Sequence, residues 1–169
     1  MVDEDRIAAL EKRVTKLEAH TETSGAPQPV SPDLDNDPLW ALIGLRARAA
    51  EPGAVMLVGH VLLPDGRTAQ WQQAKTTDEL LDSDWTRSAA TLAALGQPVR
   101  VRLLQQVLTG TSTANELTRL DGVGTSGQVY HHLRELISTG WLTAVGGGRH
   151  EVPVARVVPL LALIQGAQG

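Results

Sequence analysis

The feature that most constrains this chain lies between residues 96 and 140, where three helix-start signals follow one another closely. Gly96-Gln97-Pro98 stops one helix and opens the next, with Val101, Leu104, Val107 and Leu108 at helical spacing up to Gly110. Thr113-Ala114-Asn115-Glu116 is a capping box, which opens a helix over 114–120 that buries Leu117 and Leu120. Asp121-Gly122-Val123-Gly124 is a short glycine-bearing turn. Thr125 then caps a helix with Val129, Leu133, Leu136 and Ile137 on its inner face, ending at Gly140. Beyond Gly140 the period changes to two: a strand from Trp141 to Val145, a turn over Gly146–Arg149 and a return strand from His150 to Val154. Helix, tight turn, helix and two-stranded ribbon predict a winged helix-turn-helix over 83–169. Its second helix, 125–139, is the one that enters the major groove, and the wing, 141–154, lies on backbone or minor groove.

The remainder is more loosely written. Ile7, Leu10, Val14 and Leu17 form an a/d repeat with charged residues between, which predicts a coiled-coil helix over 1–20. Two heptads are marginal alone and need a dimer formed elsewhere. A single helix laid on its own domain is the alternative. Residues 21–37, with Pro27, Pro29 and Pro32, lack periodicity and read as a flexible linker. A module over 38–82 follows. Asp37 as cap and Pro38 at the first position start a helix whose face is Leu39, Leu42, Ile43 and Ala47, up to about Ala50. The apolar run 54–63, the turn Pro64–Arg67 and the alternation of Ala69 and Trp71 with Gln70 and Gln72 predict a β-hairpin. An isolated hairpin is barely stable, so this one must pack on the 38–50 helix, a partner chain or a ligand. Trp40, His60 and Trp71 form a possible small-molecule pocket, set against the plainer reading of them as core. Thr76–Glu79 is another capping box, opening a short helix near 77–82, and a further helix runs from Ser83 through Trp85, Leu92 and Leu95. The fold class is mainly α with small β elements (α+β).

Composition narrows the chemistry. The 169 residues contain no cysteine, which removes disulfides, thiolate metal sites and cysteine nucleophiles. With no Phe, the cores rest on Leu, Val, Ala and Ile around four tryptophans. The net charge of −4 is unevenly spread: residues 1–95 hold nine Lys/Arg against fifteen Asp/Glu, whereas 96–169 hold six Arg against four acids. The mild basicity sits where DNA contact is expected, and phosphate attraction is short-ranged. No apolar run approaches the ~20 residues of a membrane span, and Met1–Asp5 is acidic where a secretory signal begins basic. The expectation is a cytoplasmic protein with no membrane association, no cofactor and no metal. Gly122, Gly124 and Gly127 match G-x-G-x-x-G, but a capped helix precedes them where a nucleotide fold needs a strand. No nucleophile–base pair or paired carboxylates emerge, so an enzyme is not expected.

Helical phase separates the roles within 125–134. Ser126, Gly127, Gln128, His131 and Arg134 turn away from Val129 and Leu133, while His132 packs inward. Ser126, Gln128, His131 and Arg134 are candidate DNA contacts together with the cap Thr125 and with Tyr130, which touches sugar-phosphate or props the helix, and Gly127 lets the helix approach closely. Gln pairs bidentately with adenine and Arg with guanine or phosphate. Arg149 at the wing tip and Arg100 and Arg102 on the preceding helix complete the set. The helix over Val157–Ile164 is apolar nearly all round, which points to a dimer seam using Leu160, Leu161 and Ile164.

Residues 88–156 resemble the ArsR-type winged-helix regulators, through Leu92–Leu104, Thr113–Leu117, Val129-Tyr130-His131-His132-Leu133-Arg134 and Gly140-Trp141-Leu142. The resemblance implies a homodimer that represses transcription and is released by an effector, whose identity is unknown, and it sets the helix of Leu92 and Leu95 against 157–164 in the dimer seam. The leading reading is two winged helices on a pseudo-palindromic double-stranded operator. The chain departs from the family's metal sensors: thiolates are missing from 114–120, and 157–165 holds no His, Asp or Glu. Two alternatives remain from the residues themselves. One is a protein-interaction module of the anti-sigma or anti-repressor type, and the other a small-molecule sensor through 38–73.

Overall fold

The structure, a computed structural model, describes residues 37–169. The coiled-coil repeat of Ile7, Leu10, Val14 and Leu17, and residues 21–36 of the linker, lie outside the described residues. Two compact units divide the chain at Arg48. In the first, α1 spans Trp40–Arg46, starting later and ending earlier than the sequence suggests. Asp37 still acts at its start, because its side chain accepts the Leu39 N–H at 2.7 Å. None of α1 is buried, and the expected face of Leu39 and Leu42 is exposed.

The second unit opens with the hairpin. Strands β1 (Ala54–Leu62) and β2 (Thr68–Thr76) pair antiparallel along all nine positions, from Ala54 opposite Thr76 to Leu62 opposite Thr68. Asp65 closes the turn by accepting the Arg67 N–H and Nε–H at 3.0 and 2.7 Å, and Gly66 takes φ +83°, a conformation that favours glycine. Thr76 caps α2 (Thr77–Leu81) with the expected reciprocal Thr–Glu79 bonds. The single helix expected from Ser83 is two pieces. Asp84 caps a 3₁₀ turn over Trp85–Ser88, and α3 follows over Ala89–Leu95.

Pro98 stands at the first position of α4 (Pro98–Leu108), which buries Leu103, Leu104 and Val107. The Thr113 capping box forms, but α5 (Ala114–Leu117) is a single turn, and Leu120 packs on the core from beyond its end. The turn after it carries its own plug, fully buried Val123. Helix α6 covers Ser126–Ser138 and buries Val129, Leu133 and Leu136. The expected five-residue ribbon strands reduce to β3 (Thr143–Ala144) and β4 (His150–Glu151). Trp141 and Leu142 are drawn into the core, and Pro153, lacking an N–H, serves as N-cap of α7 (Val154–Ala167).

Helix α7 corrects the sequence reading most. Its apolar circumference points from sequence to a dimer seam, and the hairpin to the 38–50 helix, a partner or a ligand. One face of the hairpin lies on α7, a cover the sequence reading did not name. Gly59 makes this possible: a Cβ there would sit 2.5 Å from Val158 Cγ1. Val157, Val158 and Leu160 are buried together with Ala69 in one core. The hairpin therefore belongs to the same compact unit as the helices after residue 83. No helix among the described residues is long and apolar enough to cross a membrane.

Candidate nucleic-acid interface

Helix α6 owes its orientation to its two ends and one face. At the start, Thr125 accepts the Gln128 N–H on its hydroxyl, and Gln128 Oε1 accepts the Thr125 N–H at 2.8 Å. Gly124, at φ +87°, leaves the space that the Gln128 side chain fills. At the end, the Trp141 and Leu142 amides both donate to Leu136 O, at 2.8 and 3.1 Å. Trp141 Nε1 donates to Thr91 O at 2.9 Å, tying the base of the ribbon to α3, and Arg156 stacks its guanidinium 5.2 Å over the Trp141 ring.

Opposite the buried stripe, Ser126, Gly127, Gln128, Tyr130, His131 and Arg134 are all exposed. Among the described residues Arg134 makes only a long 3.4 Å bond to Tyr130 O, which leaves most of its guanidinium donors for a ligand. His132 turns inward as the sequence suggests. Its Nδ1 is buried with no hydrogen-bond partner among the described residues. Burial, with lesser help from the charges of Arg100 and His131, holds the His132 pKa below its ordinary value against the opposing pull of Glu135.

The arginines fall into different roles. Arg100 donates through Nε to Ala94 O at 2.6 Å and through Nη2 to Ala93 O at 2.9 Å, binding the last carbonyls of α3. That is a helix-end clamp, not a free phosphate ligand. Arg102 is exposed and lies over Gly122, with Nη1 3.1 Å from where a Cβ would stand. Arg149 is exposed at the turn of the short ribbon. Its backbone is fixed all the same: Thr113 and Arg149 form a β-bridge, Ala114 N–H donates to Gly148 O at 2.9 Å, and His150 N–H to Ser112 O at 2.8 Å. The start of α5 and the ribbon turn are thus one piece. Glu116 lies beside it, its carboxyl held below the usual range chiefly by the Thr113 hydroxyl and amide.

The structure alters two sequence expectations at particular residues. Trp71 stands opposite Gly59 on the α7-facing side of the hairpin, whereas His60 pairs with Gln70 on the other side. Alternation along a strand separates His60 and Trp71, so they share no pocket. Leu160, expected at a dimer seam, is a core residue at 3% exposure, while Leu92 and Leu161 are exposed and Ile164 half-buried. Between α4 and α7 runs an open groove of about 350 Å³, lined by Val101, Leu104, Leu108, Leu161 and Ile164 among others.

Sequence reasoning missed the structural use of Gln128, although the Thr-x-x-Gln signal was present at 125–128. The Ser112–Thr113 tie to the ribbon had no signal, because backbone bridges carry no side-chain pattern. Among the described residues no cluster of three or more His, Cys, Asp or Glu could hold a metal ion. No protein-family model, curated protein or solved structure matches this chain.

Proposed function

We propose that this chain is a homodimeric, sequence-specific DNA-binding regulator, acting as a repressor, whose residues 83–169 form a winged helix-turn-helix. The observation that carries the reading is the two-faced α6: Val129, Leu133 and Leu136 are fully buried, while Tyr130, His131 and Arg134 project together from a capped helix. The N-terminal half of α6 lies in the major groove. Arg134 and His131 contact bases or phosphates, and Ser126 and Gly127 allow close approach. Gln128 reaches DNA only through its amide nitrogen, since its oxygen caps the helix. Arg149 contacts the backbone or minor groove from the ribbon turn, and Arg102 lies toward the flanking phosphates.

The experiment is fluorescence anisotropy on duplexes selected from genomic fragments, repeated across salt concentrations. Binding weakens linearly in log–log form with salt. Arg134→Ala and His131→Ala each lose about 1–3 kcal/mol, and a base-reading loss relaxes preference at one position. Parent-like binding by both variants, or no salt-sensitive duplex at all, overturns the reading in favour of a protein-binding module.

A further inference from the structure

The two long strands expose very different outer edges. Leu63 N–H donates to Arg67 O at 2.8 Å at one end of the ladder, and Thr77 N–H to Gly53 O at 2.9 Å at the other. These bonds fix the alternation: odd-numbered residues of β1 bond to β2, and even-numbered ones direct their N–H and C=O outward. The outward set is Ala54, Met56, Val58, His60 and Leu62. Among the described residues no strand pairs with this edge.

Edge strands are normally protected by charge, proline, a bulge or shortness. Strand β1 has none of these: it runs Ala-Val-Met-Leu-Val-Gly-His-Val-Leu with no charged residue and no proline, and pairs without a bulge. Its side chains on the face away from α7 include Val58 at 40% and Leu62 at 70% exposure. The outer edge of β2 is mostly polar by contrast, with Thr68, Gln70, Gln72 and Thr76 on it beside a single alanine, Ala74, and with Lys75 alongside.

We propose that β1 pairs antiparallel with β1 of a second copy about a two-fold axis through Val58, giving the sheet β2-β1-β1-β2. The strand is self-complementary in this register. Val58 meets the partner's Val58, Met56 the partner's His60, and Ala54 the partner's Leu62, each as a hydrogen-bonded pair. No like charges are brought together, and the exposed valines and leucines gain apolar neighbours. Each two-stranded half is about 10 Å wide, so the sheet has room for both α7 helices on one side at ordinary helix spacing. This interface does not depend on the DNA-binding reading, and it would replace the α7 seam as the dimer organiser.

Sedimentation of the full chain tests it. Val58 is not hydrogen-bonded to Gln72 across the hairpin, so Val58→Pro removes only the outward N–H and leaves the internal ladder intact. Val58→Lys places two like charges on the axis. The parent sediments at twice the chain mass and both variants at the chain mass, with unchanged circular dichroism. Independently, Val58→Cys in this cysteine-free chain oxidises to a linked dimer, whereas Gln72→Cys does not. The paired Cα atoms would lie ~5.5 Å apart, within disulfide reach. A monomeric parent overturns the proposal, including one whose Met56 and Val58 amides are protected from exchange by its own chain. So does equal cross-linking by the two cysteine variants. A dimer kept by both non-cysteine Val58 variants but lost by Leu161→Glu assigns the seam to α7 instead, leaving the DNA-binding reading untouched.

Discussion

The long hairpin β1–β2 pairs nine residues per strand, and the short hairpin β3–β4 pairs two. Strand length alone would make the first a sheet and the second a fraying loop. Yet both are ordered parts of one unit, by different means. The long hairpin is held by a face: Gly59 lets it settle on Val158, and Ala69 disappears into the core. The short one is held by its ends: Trp141 plugs the core and bonds Thr91, while Ser112–Thr113 clasps Gly148–His150. A face-held hairpin commits one row of its apolar side chains to the core. An end-held hairpin leaves its tip, Gly146–Arg149, exposed for contact.

The comparison breaks most severely at Trp141. Trp141→Ala removes the plug, its hydrogen bond and the stacked Arg156, and truncation of a buried Trp costs about 3–5 kcal/mol. Urea denaturation reads the loss. A cost below about 1 kcal/mol, well under that range, would mean the short hairpin is not held from its base. Second in size is Gly59→Ala, which overpacks the hairpin–α7 contact for about 1–3 kcal/mol. Val158→Ala makes room for the new methyl, so the double mutant should be less unstable than the sum of the singles. Additive costs would show that the close approach at Gly59 does not hold the face.

The same contrast governs how much was legible from sequence. The long hairpin's strands, turn and apolar character are local patterns, and they read correctly. What covered it did not, because α7 lies some ninety residues away and its apolar circumference suits a partner subunit as well as a hairpin. The capping boxes at Thr76 and Thr113 read correctly, since spacing and chemistry coincide in four residues. The candidate interface was legible as a helix face but not in every role. Helical phase places Arg134 and His131 outside and His132 inside. It cannot tell that Arg100 is engaged with the α3 carbonyls or that Gln128 Oε1 is engaged in a cap.

A smaller effect concerns the helix that leads into the short hairpin. Burial depresses the His132 pKa, so the unfolded chain binds this proton more readily than the folded one. The stabilisation is complete above the unfolded pKa of ~6.5 and is lost as pH falls through that value towards the folded one. Thermal melts should therefore decline between pH 7 and pH 5, above the range where the depressed carboxylates titrate. His132→Gln should flatten that decline. An unchanged slope in the variant would assign the acid sensitivity to another group and leave α6 indifferent to pH.

The smallest expected effect lies where the two hairpins touch. Arg67 Nη1, from the long hairpin's turn, meets Glu151 Oε2 of β4 at 3.0 Å, with both side chains about one-third exposed. Arg67 is already held by Asp65, so little extra ordering is needed to form the link. Partly exposed ion pairs contribute about 0.2–1 kcal/mol. A double-mutant cycle with Arg67→Met and Glu151→Gln should return coupling in that range and lose part of it in ~1 M salt, where the screening length is about 3 Å. Zero coupling would mean that the hairpins communicate only through the shared core. Coupling well above about 1 kcal/mol would mean that face-held and end-held hairpins act as one element, and the distinction between them would have to be redrawn around this ion pair.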